Sequence, residues 1–271
     1  MVTYRLTEGL GDCLIAAACC EELSKRTGQR VGFKTSPLIA PFLGRNECLD
    51  LNSTEEPVQL KWVSQMNDPG AYSLHTSQRF STQMGFMIDP TKVVNLYNPH
   101  NQVVVASNTA LRHSPKGNFI CINKASKEKG RRYLSDRVCE VIEEFAKTMG
   151  LGTAYLGDGG CTDITQCVCH LEDCKFFVGP VSFMYHLASA LRVPSVLLTG
   201  YMPDYKFSHF FNTVSLRSRK WCTAECEVNE KSIRRIVGCD RENTCYAQDD
   251  YPDAEIVRCL ETAYHLKIEC D

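Results

Sequence analysis

Phe177-Val-Gly-Pro-Val-Ser-Phe-Met-Tyr-His-Leu-Ala-Ser-Ala-Leu191, running on through Arg-Val-Pro-Ser-Val-Leu-Leu-Thr-Gly200, is the stretch whose reading decides the fold. A short apolar run stops at a glycine turn, a helix-forming segment follows, and a second apolar run begins after Pro194. Runs that are apolar throughout suit strands covered on both faces, as in parallel sheets, and the helix between them is the crossover. The same rhythm extends upstream. Asn118–Asn123 reads as a strand, Ser135–Met149 as an amphipathic helix ended by Gly150, and Thr153–Leu156 as a strand. Ile164–Glu172 reads as a short helix and Lys175–Val178 as a strand, leading into the helix Phe183–Leu191 and the strand Pro194–Leu198. This sustained alternation predicts a doubly wound α/β sheet.

The N-terminal half carries a second unit of the same kind. Val2–Leu6 reads as a strand, Glu8-Gly-Leu-Gly-Asp12 as a glycine turn, and Leu14–Arg26 as a helix. That helix is expected to bury its alanines and to point Glu21, Glu22, Lys25 and Arg26 outward. Thr27-Gly-Gln29 stops it, and Val31–Lys34 is the next strand. Weaker strands are expected at Val58–Val63 and Val93–Tyr97, with a helix over Leu74–Phe86. The pattern loosens between Asn98 and Lys116, so the domains are read as 1–112 and 113–271. No repeat of solenoid period is visible.

Composition bounds the rest. The chain has 271 residues, 44% hydrophobic and 23% charged, which is ordinary for a globular protein and unlike a disordered one. Thirty basic against thirty-two acidic residues give a formal charge of −2, so bulk charge does not drive it onto nucleic acid or anionic membrane. The start MVTYRLTEG has no charged-then-apolar leader pattern, and runs such as Leu14–Cys20 fall far below the ~18 residues of a membrane span. With sixteen cysteines and no leader, the expectation is a cytoplasmic protein with mostly reduced thiols, some of them metal ligands.

Chemistry concentrates at three places. Gly9 and Gly11 stand where a strand turns into a helix, which lets a backbone approach a ligand beside free N–H groups. Leu14 stands where a dinucleotide fingerprint has its third glycine, and no Gly-Lys-Ser/Thr follows, so neither that motif nor a P-loop is present. Asp12 is either a favourable charge at a helix N-terminus or a general base at the carboxyl end of a parallel strand. In the second glycine turn, Gly179 and Ser182 put small donors at a helix N-terminus suited to a diphosphate. His186, one turn further along the same face, is either a ligand contact or a core residue.

The third place is Cys222-x3-Cys226-x12-Cys239-x5-Cys245, whose neighbours are polar where core cysteines sit in apolar runs. Four thiolates in a loop-rich segment suit a tetrahedral iron or zinc site that staples it. Cys161, Cys167, Cys169 and Cys174 form a second group. Cys167 and Cys169 fall on different faces of a helix, so this group is read as core packing, as are Cys13, Cys19 and Cys20.

Together the two glycine segments resemble glycosyltransferase family 9, the ADP-heptose heptosyltransferases. Gly9-Leu-Gly-Asp12 before an alanine-rich helix is similar to that family's N-terminal motif, and Gly179-Pro-Val-Ser182-x3-His186-Leu-Ala-Ser-Ala-Leu-x-Val-Pro to its donor segment. Val181 stands where the family commonly has aspartate and Phe183 where it has glycine, and the N-terminal half is shorter than usual. The resemblance implies a GT-B-like architecture: two Rossmann-like domains, an acceptor-side one (1–112) and a sugar-nucleotide one (113–271), facing a cleft. It implies inverting, metal-independent transfer of a heptose or hexose from a nucleotide-diphosphate sugar, an ADP-sugar favoured, with Asp12 as base. Lys129 or Arg131 would face the diphosphate; the alternative is a solvated basic loop.

The order of the cysteine segment 222–245 resembles the iron-binding finger of bacterial autotransporter heptosyltransferases, implying a structural metal there. The acceptor would be a protein serine or threonine, a glycan, or a modified DNA base, in a bacterial cytoplasm or one used by a bacteriophage. The alternative from another class is a metal-stapled binding module that kept this fold and lost the chemistry. A dehydrogenase is disfavoured, because Lys34-Thr-Ser36 stands where an acidic residue should end the second strand.

Overall fold

The computed structural model describes residues 2–7, 9–61, 74–92, 94, 96, 117–124, 134–157, 160–199, 212–217 and 251–266. The chain divides into two compact units, Met1–Asn108 and Thr109–Asp271.

In the first unit, β1 (Thr3–Leu6), β2 (Val31–Thr35), β3 (Leu49–Asp50) and β4 (Val58–Gln59) form a parallel sheet in the order β3-β2-β1-β4. The chain steps from β1 through β2 to β3 in one direction, then returns to lay β4 on the other side of β1. The direction of winding therefore reverses between β1 and β4. Helix α1 (Leu10–Thr27) packs on this sheet and against α3 (Thr76–Gln83), while α2 (Ala40–Leu43) is a single turn. Its run Cys13–Cys20 is entirely buried, because small residues let the helix lie close on the strands. Gly28 ends α1, its N–H bonded to the Ser24 carbonyl at 2.8 Å.

Three expectations change here. Glu21 does not point outward: it is buried, with Oε1 accepting from Lys25 Nζ at 2.6 Å and Oε2 from Asn46 Nδ2 at 2.8 Å. Strand β4 is only two residues long and both are exposed, shorter than the strand expected at Val58–Val63, of which residues 62 and 63 lie outside the described residues. The helix expected over Leu74–Phe86 is shortened at both ends. His75 caps it, Nδ1 accepting from the Ser77 N–H and Gln78 reaching back to the His75 N–H. The strand expected at Val93–Tyr97 falls partly outside the described residues; Val94 and Leu96 are buried but not in a strand.

Up to Thr199 the second unit follows its sequence pattern closely; the strand and the helix beyond it were not expected. Strands β5 (Phe119–Asn123), β6 (Gly152–Leu156), β7 (Phe176–Gly179), β8 (Ser195–Thr199) and β9 (Thr213–Arg217) form a parallel sheet in the order β6-β5-β7-β8-β9. Ile120, Ile122, Phe176, Val178, Val196 and Leu198 point to one face. There α4 (Asp136–Thr148) and α7 (Asp253–His265) cover them with Val138, Ile142, Ile256 and Leu260. The alternate residues Cys121, Phe177 and Leu197 belong to the other face, where α5 (Ile164–Asp173) and α6 (Phe183–Ala190) lie. Arg137 of α4 holds the start of α7, pairing with Asp253 and donating to the Tyr251 carbonyl at 2.8 Å. The winding reverses between β5 and β7. Among the described residues no helix is long and apolar enough to cross a membrane.

Candidate functional site

In open α/β sheets, ligands bind beyond the carboxyl ends of the strands at the point where winding reverses. Each unit places one of the two glycine turns at such a point.

In the first unit the turn leaves β1. Gly9 is the N-cap of α1 with φ 66° and ψ 85°, a left-handed conformation that glycine adopts without a Cβ penalty. No side chain caps the helix there. The thiol of Cys13 donates to the Leu6 carbonyl at 3.2 Å, fastening the first turn of α1 to the end of β1. Burial raises the Cys13 thiol above its ordinary pKa, with a smaller contribution from the neighbouring Asp12 carboxylate. Cys13 is thus a neutral anchor. Asp12, the third residue of α1, is half-buried beside it and lies where the positive end of the helix dipole favours a carboxylate. Gly11, just before Asp12, is buried.

In the second unit the turn leaves β7. A Cβ on Gly179 would stand 2.7 Å from Phe177 Cζ, 3.1 Å from the Asn123 carbonyl oxygen and 3.2 Å from Asn123 Cβ. Glycine is required because β7 and β5 converge there. Asn123 continues the stitching across the sheet, its Nδ2 donating to the Leu156 carbonyl of β6 at 2.8 Å. Three adjacent strand ends are therefore fixed to one another at the reversal. Asn123 escaped the reading of the sequence, although a signal was there: it is the polar residue that ends the otherwise apolar Phe-Ile-Cys-Ile.

Beyond Gly179, Ser182 is the N-cap of α6. It is buried, and its hydroxyl accepts the Tyr185 N–H at 3.3 Å, so its oxygen serves its own helix. Helix geometry leaves the N–H groups of the first turn without intrahelical acceptors, which is the donor set a phosphate uses. His186 is 7% exposed and packs against the Tyr185 ring at 5.3 Å between centroids. Tyr185 in turn bonds Thr213 at 3.2 Å. Val181, at 3%, is core, while Phe183 is half-buried.

Lys129 and Arg131 lie outside the described residues. The ends of the segment that holds them are drawn together by the Leu134 N–H bonding the Lys124 carbonyl at 2.7 Å, and Lys124 itself pairs with Asp136. Cys222, Cys226, Cys239 and Cys245 also lie outside. Among the described residues no group of three or more histidines, cysteines, aspartates or glutamates is placed to hold a metal ion. Cys13, Cys19, Cys20, Cys167 and Cys174 are core, as expected. Cys161 and Cys169 are not: the former is half-buried in the turn before α5, the latter exposed on that helix.

No family model and no curated protein matches the chain. Solved structures do. The bacterial iron-containing dodecameric glycosyltransferase TibC from enterotoxigenic E. coli H10407 aligns with 97% of this chain and 75% of its own, at 15% identity and a TM-score of 0.71. The glycosyl transferase family 9 protein from Veillonella parvula DSM 2008 aligns with 97% of this chain and 96% of its own, at 11% identity and a TM-score of 0.69. The E. coli ADP-heptose lps heptosyltransferase II aligns with 97% and 98%, at 12% identity and a TM-score of 0.60. The two parallel-sheet units of this chain share the fold of these proteins.

Proposed function

We propose that this protein is an inverting glycosyltransferase of the heptosyltransferase kind, using a nucleotide-diphosphate sugar as donor. The observation that carries the reading is the coincidence of both glycine turns with the reversal points of their own sheets. It occurs in a fold shared with glycosyltransferases along nearly the whole chain. TibC has been solved with ADP-D-beta-D-heptose, which supports an ADP-sugar as the donor to test first.

In this reaction Asp12 accepts the proton of an acceptor hydroxyl as that oxygen attacks the anomeric carbon. The new carbon–oxygen bond forms on the face opposite the bond to the diphosphate, which breaks, so the configuration inverts. The negative charge that departs with the nucleoside diphosphate meets the first-turn N–H groups of α6 and its helix dipole. Gly179 and Ser182 shape that turn, His186 backs it from inside, and Lys129 or Arg131 adds a cation. Gly9 and Gly11 let the backbone approach the reacting groups near Asp12. The acceptor is a hydroxyl of a glycan or of a protein serine or threonine, and the reaction takes place in the cytoplasm.

Cys222, Cys226, Cys239 and Cys245 hold a structural iron or zinc that takes no part in the transfer. Their spacing supports this, as does the iron content of TibC. Replacing Cys226 by serine is then expected to lower the metal content of the purified protein.

A ligand screen tests the transferase reading. Ligands that bind the folded state raise the melting temperature. An ADP-, GDP-, UDP- or CMP-sugar is expected to raise it, and the same sugar to be transferred or slowly hydrolysed. A second reading has one observation in its favour: Val181 is buried core where the family commonly carries an aspartate. If a sugar nucleotide binds yet is neither transferred nor hydrolysed, the chain is a binding module of this fold.

A further inference from the structure

The turn that leaves β6 brings two cysteines together. Leu156 and Cys161 form a parallel bridge, the Cys161 N–H bonds the Tyr155 carbonyl at 2.9 Å, and the Cys161 carbonyl takes the Gly157 N–H at 2.6 Å. Gly160 is held so close beneath Tyr155 that a Cβ there would stand 2.1 Å from its carbonyl oxygen. Cys161 therefore has a fixed place against the end of β6. Cys167, in the first turn of α5, donates its thiol to the Cys161 carbonyl at 3.2 Å. The Cys161 thiol reaches Gln166 Oε1 at 3.4 Å.

We propose that Cys161 and Cys167 are a redox modification site, forming a reversible disulfide in exchange with a low-molecular-weight disulfide such as glutathione disulfide. The two cysteines differ in accessibility, and that sets the order of events. Cys161 is half-buried and reachable, whereas Cys167 is fully buried. The Cys161 thiolate attacks one sulfur of glutathione disulfide, making a mixed disulfide and releasing one glutathione thiolate. Cys167 then attacks the Cys161 sulfur, the mixed S–S bond breaks, and the second glutathione leaves. Two protein thiols have lost two electrons and two protons, and both protons end on the two glutathione thiols.

Burial, reinforced by the neighbouring Cys161, pushes the Cys167 thiol up to about 12, so it does not initiate the exchange. Only five residues separate the pair, so closing the loop adds little stability and the bond stays reducible. The disulfide replaces the thiol contacts of Cys167 with the Cys161 carbonyl and of Cys161 with the Asp163 carbonyl and Gln166 by one covalent tie. Cys121 and Cys174 provide an internal control. Their thiols donate to the successive α5 carbonyls of His170 and Leu171, but both are buried and neither offers an entry point.

The test equilibrates the full-length protein in glutathione buffers of rising oxidised fraction, blocks the remaining thiols and maps the peptides by mass spectrometry. The expected product is a Cys161–Cys167 crosslink that excess dithiol reverses, with Cys121 and Cys174 reduced. In Cys167→Ser the glutathione adduct should persist on Cys161, and in Cys161→Ser residue Cys167 should stay a thiol. Amide exchange at Gly157 and Cys161 should slow severalfold in the crosslinked protein. Modification of Cys169 while Cys161 and Cys167 remain thiols, or modification of Cys167 in the Cys161→Ser protein, would overturn the proposal. So would a crosslink that leaves the exchange of the turn unchanged.

Discussion

The two glycine turns occupy equivalent places, each at the reversal of a parallel sheet, yet they are built by opposite means. The turn after β1 is opened by backbone conformation: Gly9 takes a left-handed φ, and no side chain caps α1. The turn after β7 is closed by packing: Gly179 is pressed against Asn123 and Phe177, and Ser182 caps α6 with its own hydroxyl. Under the proposed reaction, the first turn would carry the half-buried carboxylate of the base and the second the backbone N–H groups that meet the departing diphosphate.

The largest expected effect separates the two roles. Asp12→Asn should lower sugar transfer by roughly 10²- to 10⁴-fold, the usual range for removing a general base, while leaving the nucleotide-induced melting shift in place. Full activity in that variant would leave Asp12 a helix-end charge and dissolve the contrast. Ser182→Ala should do the reverse, costing about 1 kcal/mol in urea unfolding through loss of the cap.

The glycines themselves give a finer comparison. At Gly179 the penalty is space, so Gly179→Ala should cost about 1–3 kcal/mol and Gly179→Asn more. At Gly9 the penalty is conformation, so Gly9→Ala should cost about 1 kcal/mol and Gly9→Asn less, because asparagine tolerates the left-handed region. The same rank order of alanine and asparagine at both sites would show that the turns are not built differently after all. Glu21→Ala reads how the first unit holds α1 to the segment after α2, which it does through a buried carboxylate. It should cost about 1–3 kcal/mol, since the amide of Asn46 loses its acceptor.

The smallest effect is expected at exposed Asp89, whose carboxyl is held below the usual range by the N–H and hydroxyl of Thr91. A depressed folded-state pKa contributes stability above the unfolded value of about 4 and loses it as pH falls through the folded one. Asp89→Ala should therefore lower the urea midpoint slightly at neutral pH and not at all in strong acid.

The units also differ in how plainly the sequence announced them. In the second, strands buried on both faces read as unbroken apolar runs such as Phe176–Gly179, and its elements from β5 to β8 fall within a residue or so of expectation, whereas β9 and α7 were not expected. In the first, β4 is a two-residue exposed edge, where residue type says little about pairing. Glu21 was misplaced because helical spacing shows Lys25 four residues on but not Asn46, which the chain brings back from the segment beyond α2. At the candidate site, Asp12 and Gly179 were legible because turns at strand ends carry their own chemistry. Asn123 matters only through neighbours that topology supplies, and the meeting of Cys161 with Cys167 depends on a turn that spacing alone does not draw.

The clamp of Arg137 on the start of α7 has a consequence for how the chain acquires its structure. Ile256, Leu260 and Ala263 complete the core face that α4 and the strands β5, β7 and β8 begin, and they leave the ribosome well after those elements. Until they arrive, one face of the second sheet is covered only in part, by α4, whereas the strands of the first unit and α1 come from one early, contiguous segment. Folding during synthesis is then expected to be vectorial, with an early first unit and a second completed once α7 emerges. That interval is when a chaperone would have most to hold.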